Sequence, residues 1–163
     1  MAGRLLIKNG VLAAAPAPRH ADVLCEGGII VAVGRDIQTN DAEVLEATGL
    51  TLGPGFIDVH VHGGGGSSFF TRDPARIREY SRWAPRNGVT SFLVSTVGRD
   101  DADTLESLWA LAPTVGKAGG AEALGFHLEG PFINPVRKGA FPPEFLRVPA
   151  RDEFARYQEA AAG

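Results

Sequence analysis

Two short apolar stretches, each ending in polar residues, place the strongest constraint on this chain. The first, PGFIDVHVH at residues 54–62, reads as a buried strand that ends in His60 and His62. The second, LGFHLEGPF at residues 124–132, reads as another strand and holds Glu129 at its end. Two imidazoles and one carboxylate at the ends of two strands make up most of a metal site.

Strand geometry predicts that these side chains can reach one cation. Because side chains alternate between the two faces of a strand, Asp58, His60 and His62 are expected on one face of the first strand. His127 and Glu129 repeat the arrangement on the second strand. Imidazole and carboxylate ligands suit zinc, or iron and manganese in a mixed site. The alternative is a pair of ordinary interior histidines, which the run of four glycines after the pair and the matching second strand make the weaker interpretation.

The composition indicates a globular protein, with 44% hydrophobic and 21% charged residues. A net charge of -3 gives no sign of a nucleic-acid partner. The single Cys25 excludes an internal disulfide and fits a reducing compartment. No apolar run approaches the roughly 18–20 residues of a membrane helix, and the run at 11–15 is too short for a signal peptide. We therefore expect a cytoplasmic protein without a membrane partner.

Residues 4–52 are predicted to form a small β domain from short strands and tight turns. The predicted elements are a strand at 4–8, a partner at 11–14, a loop at 16–20, strands at 21–25 and 29–33, and a strand at 43–47. Asn9-Gly10 predicts a hairpin between the first two strands. His20 is expected to be solvated in its loop.

After Gly53, strands and helices alternate. Predicted strands lie at 56–61, 89–96 and 123–129, and predicted helices lie at 73–86, 100–111 and from 152 onward. Asp73 followed by Pro74 marks a helix start, Asn87-Gly88 marks its end, and Asp152 is expected to cap the last helix. This order indicates parallel strands joined by right-handed crossovers.

Polar residues collect at the C-terminal ends of the predicted strands, namely His60, His62, Ser95, Thr96, His127 and Glu129. In a TIM barrel this is the catalytic face. A doubly wound sheet is the alternative, but it gives no reason for a His-x-His pair. A barrel needs about 250 residues and only about 110 follow the β domain, so we expect three of eight βα units from the N-terminal part of a longer protein. Such an open sheet should expose an apolar edge and one uncovered face.

The same motifs carry a family resemblance over essentially the whole chain. A small β domain leading into PGFIDVHVHG resembles the amidohydrolase superfamily of metal-dependent hydrolases. Within it, GFHLEGPFINPVRKGAFPPEFLR (125–147) and NGVTSFLVSTVGRD (87–100) resemble the N-acetylglucosamine-6-phosphate deacetylase family. The resemblance implies the first three βα units of a metal-dependent-hydrolase TIM (β/α)8 barrel at 53–163, preceded by a small β-sandwich domain at 1–52.

The resemblance also implies roles for the strand-end residues. Glu129 would be a direct metal ligand, and His60 and His62 would bind a second ion or help to bind the first. One or two divalent ions are expected, with zinc favoured over iron or manganese. Two further histidine ligands and the aspartate general base are expected beyond residue 163, so no catalytic residue is assigned within this chain. His127 is expected beside the ligands rather than among them.

The long loop at 130–149 is expected to serve the substrate, because loops of this length inside compact domains usually do. By resemblance, Ala140 would meet the sugar through its backbone. Relatives often carry histidine at the next position, where Phe141 stands here, and this weakens a polar contact at that point. Arg137 and Lys138 either hold the sugar phosphate or are solvated charges. The glycines at 63–66 either form a backbone nest for an anion or let the chain turn sharply.

The implied reaction is hydrolysis of the N-acetyl group of N-acetylglucosamine 6-phosphate, giving glucosamine 6-phosphate and acetate in amino-sugar catabolism. The full-length protein would be a homodimer, and this chain alone is expected to be inactive. Two alternatives stay open. One is another amidohydrolase, such as a D-aminoacylase or a dihydroorotase-like hydrolase, which shares the His-x-His strand but lacks the H-L-E-G-P motif. The other is a truncated, non-catalytic chain.

Overall fold

A computed structural model describes residues 3–13 and 19–161 of the chain. The chain forms two units, Met1–Pro54 and Gly55–Gly163. Within the described ranges, no helix has the length and apolar character needed to cross a membrane.

The first unit contains one mixed sheet of five strands. These are β1 (Arg4–Leu12), β2 (Arg19–Glu26), β3 (Ile29–Gly34), β4 (Ala42–Glu46) and β5 (Thr51–Leu52). The order is β3-β2-β1-β4, and β5 also pairs with β1. Strand β1 runs antiparallel to β2 and parallel to β4 and β5. The predicted hairpin between β2 and β3 is confirmed, whereas β5 was not predicted.

The hairpin predicted at Asn9-Gly10 is wrong. Strand β1 continues through both residues, and its pairing with β2 slips between Ile7 and Gly10, which marks a β-bulge. Asn9 has a φ of 60°, and its backbone N–H donates to Asp22 Oδ1 at 2.9 Å. The buried carboxylate of Asp22, on the neighbouring strand, therefore stabilises a kink in the backbone at Asn9. The local sequence had predicted a turn at this point.

The loop predicted at 16–20 is only partly described. Arg19 and His20 are exposed, as expected for His20, but they begin β2 rather than lie in a loop. Residues 14–18, which include the end of the strand predicted at 11–14, lie outside the described residues. In the described part of this unit there is one sheet, so the predicted β-sandwich stays a prediction. Apolar side chains are exposed on its edge strands, at Ile29, Ile30, Val31, Val33, Val44 and Leu45.

The second unit alternates strands and helices. Its elements are β6 (Phe56–Val61), β7 (Gly63–Gly64), β8 (Ser67–Ser68), α1 (Pro74–Trp83), β9 (Val89–Val97), α2 (Asp101–Leu111), β10 (Glu122–Glu129) and α3 (Arg151–Ala160). Strands β6, β9 and β10 form a parallel sheet in the order β10-β9-β6. The predicted α/β class and parallel pairing are confirmed, while a closed barrel stays a prediction.

The predicted helix boundaries are right where a capping residue bonds to its own neighbours in the chain. Asp73 Oδ1 accepts the Ala75 N–H at 2.9 Å and begins α1. A 3-10 turn extends this helix, and Gly88 closes it with a φ of 79°. The cap predicted at Asp152 is wrong, because Ala150 is the N-cap of α3 and its side chain makes no capping bond. Asp152 lies in the first turn instead, where its charge favours the helix dipole.

An aromatic cluster fills the space between the sheet and α1. Tyr80 stands edge-on to Phe69 and Phe92, with ring centroids 5.3 and 4.8 Å away. All three are buried, and the apolar surface removed from water stabilises this face of the sheet. The apolar side chains of the edge strand β6 are not covered in this way, and Ile57 and Val59 are about 60% exposed. The prediction of a buried strand at 54–62 is therefore wrong for the described residues. The exposed apolar side chains agree with the prediction that the open sheet has an uncovered edge.

Candidate metal centre

Three donor groups converge where two strands end. His60 lies near the end of β6, His62 follows that strand directly, and Glu129 is the last residue of β10. One donor atom from each lies within 4.8 Å of the other two. His62 Nε2 is 3.0 Å and His60 Nε2 is 3.6 Å from Glu129 Oε2. The predicted meeting of these residues is confirmed.

A β-bulge decides which side chains face this cluster. The pairing of β6 with β9 slips between Asp58 and Val61, so β6 holds one extra residue there. Asp58 pairs with Phe92 on the side of the aromatic cluster. Burial, and then the neighbouring Asp58 carboxylate, raise the pKa of Tyr80. The expectation that Asp58 shares a face with His60 and His62 is wrong, because the extra residue interrupts the alternation.

The hydrogen bond of His62 assigns its proton. His62 Nδ1 lies 3.1 Å from the Ser95 carbonyl oxygen, and a carbonyl only accepts, so Nδ1 carries the hydrogen. The Nε2 lone pair then faces the Glu129 carboxylate at 3.0 Å. Two acceptors at this distance repel unless a proton or cation lies between them.

The donor set fits a divalent ion. Ligands about 2.0–2.2 Å from a tetrahedral zinc lie roughly 3.3–3.6 Å from one another. The two spacings to Glu129 Oε2, 3.0 and 3.6 Å, bracket that range. With all three donor atoms within 4.8 Å of one another, His60, His62 and Glu129 could hold one ion.

His127 lies beside this group and is not one of the three donors. Its ring centroid is 4.8 Å from that of His60, and its Nδ1 is 3.2 Å from Ser95 Oγ. Burial lowers the pKa of His127, the nearby His60 lowers it further, and the Glu129 carboxylate partly offsets this. The imidazole is therefore favoured in its neutral form.

A cavity of about 430 Å³ opens at the cluster, and His60, His127, Glu129 and Phe132 are among its lining residues. A larger cavity of about 930 Å³ lies between α2, β10 and α3 and contains none of the three donors. We place the chemistry at the smaller cavity, because two of the three donors, His60 and Glu129, line it.

Comparison with known proteins gives this geometry a context. No protein-family model matches the chain. The chain is 33% identical over 138 residues to the N-acetylglucosamine-6-phosphate deacetylase of Bacillus subtilis, covering 82% of this chain and 35% of that protein. It is 36% identical over 121 residues to the N-acetylgalactosamine-6-phosphate deacetylase of Escherichia coli O157:H7, covering 74% and 31%.

A solved structure agrees with these sequence matches. The N-acetyl-D-glucosamine-6-phosphate deacetylase of Mycobacterium smegmatis, a mutant in complex with N-acetyl-D-glucosamine-6-phosphate, superposes with a TM-score of 0.79. That match has 28% identity and covers 98% of this chain and 41% of that one. The chain is related to the N-acetylglucosamine-6-phosphate deacetylases. It spans about a third of the length of the curated relatives it matches.

The deacetylase resemblance predicted a substrate contact at Ala140. Ala140 is exposed and does not line the cavity at the donor cluster. The next residue, Phe141, is only 4% exposed and packs against Gly130. A Cβ at Gly130 would lie 2.5 Å from the Phe141 ring. Phe141 therefore packs under the loop, and the contact at Ala140 stays a prediction.

The two basic residues of this deacetylase-like loop behave differently. Lys138 Nζ donates to the carbonyl oxygens of Phe141, at 3.0 Å, and Gly139, at 3.3 Å, so it fastens its own loop. Arg137 is exposed.

The glycines after the His-x-His pair form a very small hairpin. Gly63–Gly64 and Ser67–Ser68 pair antiparallel around a tight turn. A Cβ on Gly65 would lie 2.5 Å from the Trp83 indole, and Gly65 has a φ of 59°. Close packing and a sharp turn explain these glycines, and the anion nest stays a prediction.

Two residues that contact the cluster were not assigned to it from the sequence. Phe70 stacks on His62 with ring centroids 5.0 Å apart, and Ser95 bonds to both His62 and His127. Ser95 was noticed only as one polar strand-end residue among several. Its position in the strand next to the His-x-His strand was the available signal.

Proposed function

We propose that the whole protein hydrolyses the N-acetyl group of N-acetylglucosamine 6-phosphate to glucosamine 6-phosphate and acetate, as part of amino-sugar catabolism. The observation that carries the proposal is the convergence of His60, His62 and Glu129 at the strand ends of a deacetylase-related chain. The name of the Bacillus subtilis relative supports the choice of sugar.

In this proposal Glu129 is a direct metal ligand, and His60 and His62 complete the donor set of this chain. Glu129 supplies the negative charge, and the Ser95 carbonyl oxygen keeps the His62 Nε2 lone pair turned toward the cluster. A divalent cation held here, with zinc favoured by the two imidazoles, supplies Lewis acidity toward the amide carbonyl and water. The general base is not assigned to any residue of this chain.

A second substrate is supported by a specific observation. The Escherichia coli O157:H7 relative, at 36% identity, is named for N-acetylgalactosamine 6-phosphate. Acetate release by the whole protein from the two sugar phosphates, and from N-acetyl-D-amino acids, separates the candidates. Faster release from the amino acids would contradict the sugar-phosphate assignment and favour a D-aminoacylase.

We further propose that the whole protein is a cytoplasmic homodimer that meets its sugar through Ala140 and Arg137. The single Cys25 supports the reducing compartment, and the exposure of both loop residues supports their access to substrate. Light scattering after gel filtration tests the dimer, and a monomer at working concentration would contradict it.

Zinc titration of the 163-residue chain tests the metal site. Glu129→Gln keeps the shape of the side chain but removes its charge, so we expect zinc affinity to fall by more than about 100-fold. The reason is that loss of a group that merely orients a ligand already costs about 10–100-fold. Glu122→Gln, an exposed change at the other end of β10, is the matched control and should bind as the unchanged chain does.

Calorimetric affinities for the two variants decide the matter once circular dichroism shows that both fold. Equal affinities would contradict the role of Glu129. The double variant His60→Asn with His62→Asn should lower the number of bound ions if two ions bind. An unchanged number would favour a single-ion site.

A further inference from the structure

Ser95 bonds to His62 and His127 and is not one of the three donors. It lies in the middle strand β9 and is fully buried. Its Oγ accepts the Val61 N–H at 2.9 Å, and its carbonyl oxygen accepts from His62 Nδ1 at 3.1 Å. Its Oγ also lies 3.2 Å from His127 Nδ1, so this one residue bonds to both neighbouring strands.

The hydrogen-bonding capacity of the hydroxyl decides how His127 is protonated. A serine hydroxyl has one hydrogen to donate and two lone pairs. The Val61 N–H uses a lone pair, and among the described residues His127 Nδ1 is the acceptor within reach of the hydroxyl hydrogen. If His127 Nδ1 carried a proton itself, the hydroxyl hydrogen would be buried without a partner, which folded proteins avoid.

We propose that Ser95 holds His62 and His127 in opposite tautomers and thereby determines which imidazole binds metal. His62 carries its hydrogen on Nδ1 and presents the Nε2 lone pair to the Glu129 side. His127 accepts at Nδ1 and carries its hydrogen on Nε2. Neither nitrogen of His127 then has a free lone pair for a cation.

With this tautomer, His127 can donate a hydrogen bond rather than bind a metal ion. Its Nε2–H is a hydrogen-bond donor on a residue that lines the same cavity as His60 and Glu129. Such a donor suits an oxygen of the bound substrate, and this last step rests on the proposed function. Ser95 acts only through the two histidines, so it is a positioning residue.

Nitrogen-15 labelling of the four histidines tests the proposal in the metal-free chain. Long-range proton–nitrogen spectra at mildly alkaline pH distinguish a protonated from an unprotonated ring nitrogen. We expect hydrogen on Nδ1 of His62 and on Nε2 of His127. Hydrogen on Nδ1 of His127 in the unchanged chain would overturn the proposal, and this result does not depend on any variant folding.

Variants of Ser95 separate its two contacts. Ser95→Ala keeps the carbonyl oxygen but removes the hydroxyl, so His62 should keep its signals while those of His127 shift toward a mixture of tautomers. Ser95→Thr keeps the hydroxyl and should restore the original His127 pattern. Ser91→Ala changes a serine of the same strand that makes no side-chain hydrogen bond in the described ranges, and should change neither histidine.

Unchanged His127 signals in Ser95→Ala would overturn the proposal. Zinc binding, measured on the same samples, tests the proposed function separately. A chain with both tautomers as assigned but without zinc binding would support the effect of Ser95 on the two imidazoles and contradict the metal site proposed for this chain.

Discussion

Replacing Arg147 by methionine tests how firmly the loop between β10 and α3 is held. The Arg147 guanidinium donates to Glu153 Oε1 at 2.5 Å and to the Tyr157 hydroxyl at 2.6 Å. The Tyr157 hydroxyl also donates to Glu153 Oε1 at 2.6 Å. Because Tyr157 is buried and the Glu153 side chain is only 12% exposed, loss of the guanidinium leaves a largely buried carboxylate with one partner.

We expect the methionine variant to lower the free energy of unfolding by about 2–4 kcal/mol. A hydrogen bond to a charged group contributes about 1.5–3 kcal/mol, and removal of one partner from a fully buried ion pair costs about 3–5 kcal/mol. The expected loss is below the sum of such contributions because 26% of the Arg147 side chain is exposed and water replaces part of the bonding. Methionine keeps most of the apolar stem.

Urea unfolding followed by circular dichroism measures the loss, and limited proteolysis shows whether the loop at 130–149 is cut more readily. Arg151→Met, an exposed change at the start of the same helix, is the matched control and should stay within about 0.5 kcal/mol of the unchanged chain. A double-mutant cycle with Glu153→Gln isolates the pair. If Arg147→Met costs no more than Arg151→Met, our account of the loop is refuted.

Two further changes test single residues by urea unfolding. Asp22→Asn turns an amide group toward a backbone N–H and should cost about 1–3 kcal/mol, whereas the exposed Asp36→Asn should cost less than about 0.5 kcal/mol. The hydrogen bond from the Asn9 N–H is the largest single cause that lowers the pKa of Asp22. The stabilisation by this carboxylate is therefore present above about pH 4 and lost as the pH falls further, and equal acid sensitivity of the Asn variant would contradict this. Gly130→Ala should cost about 1–3 kcal/mol more than Gly119→Ala, because both positions have positive φ but only Gly130 has a ring within 2.5 Å of the added Cβ. Equal losses for these two would rule out the packing explanation.

Most of the second unit could be predicted because its signals act locally. Asp73, Asp100 and Gly88 each cap a helix within a few residues of their own position. The failure at Asn9 has the opposite cause, since its backbone bends toward Asp22, a residue on another strand. A turn-forming dipeptide fixes the local backbone preference, but a partner from elsewhere in the chain decides whether the strand reverses or continues.

The candidate site also contains features that could be predicted from the sequence and features that could not. The meeting of His60, His62 and Glu129 could be predicted, because the C-terminal ends of parallel strands lie at one edge of a sheet. The hydrogen bonds of Ser95 could not be predicted, because its position near a strand end indicates the site but not the bonding partners. Its bonds depend on the register of three strands, including the slip that follows Asp58.

The extra residue in β6 makes the strand tolerant of a length change at one point. Deleting Val59 would leave Asp58 opposite Phe92 and Val61 opposite Val94, so the two ends of the strand would keep their present sides. A deletion elsewhere in the strand would turn one end over. A chain without Val59 should therefore keep His60 and His62 on the side of Glu129, and zinc binding that is lost on this deletion would contradict the role of the extra residue.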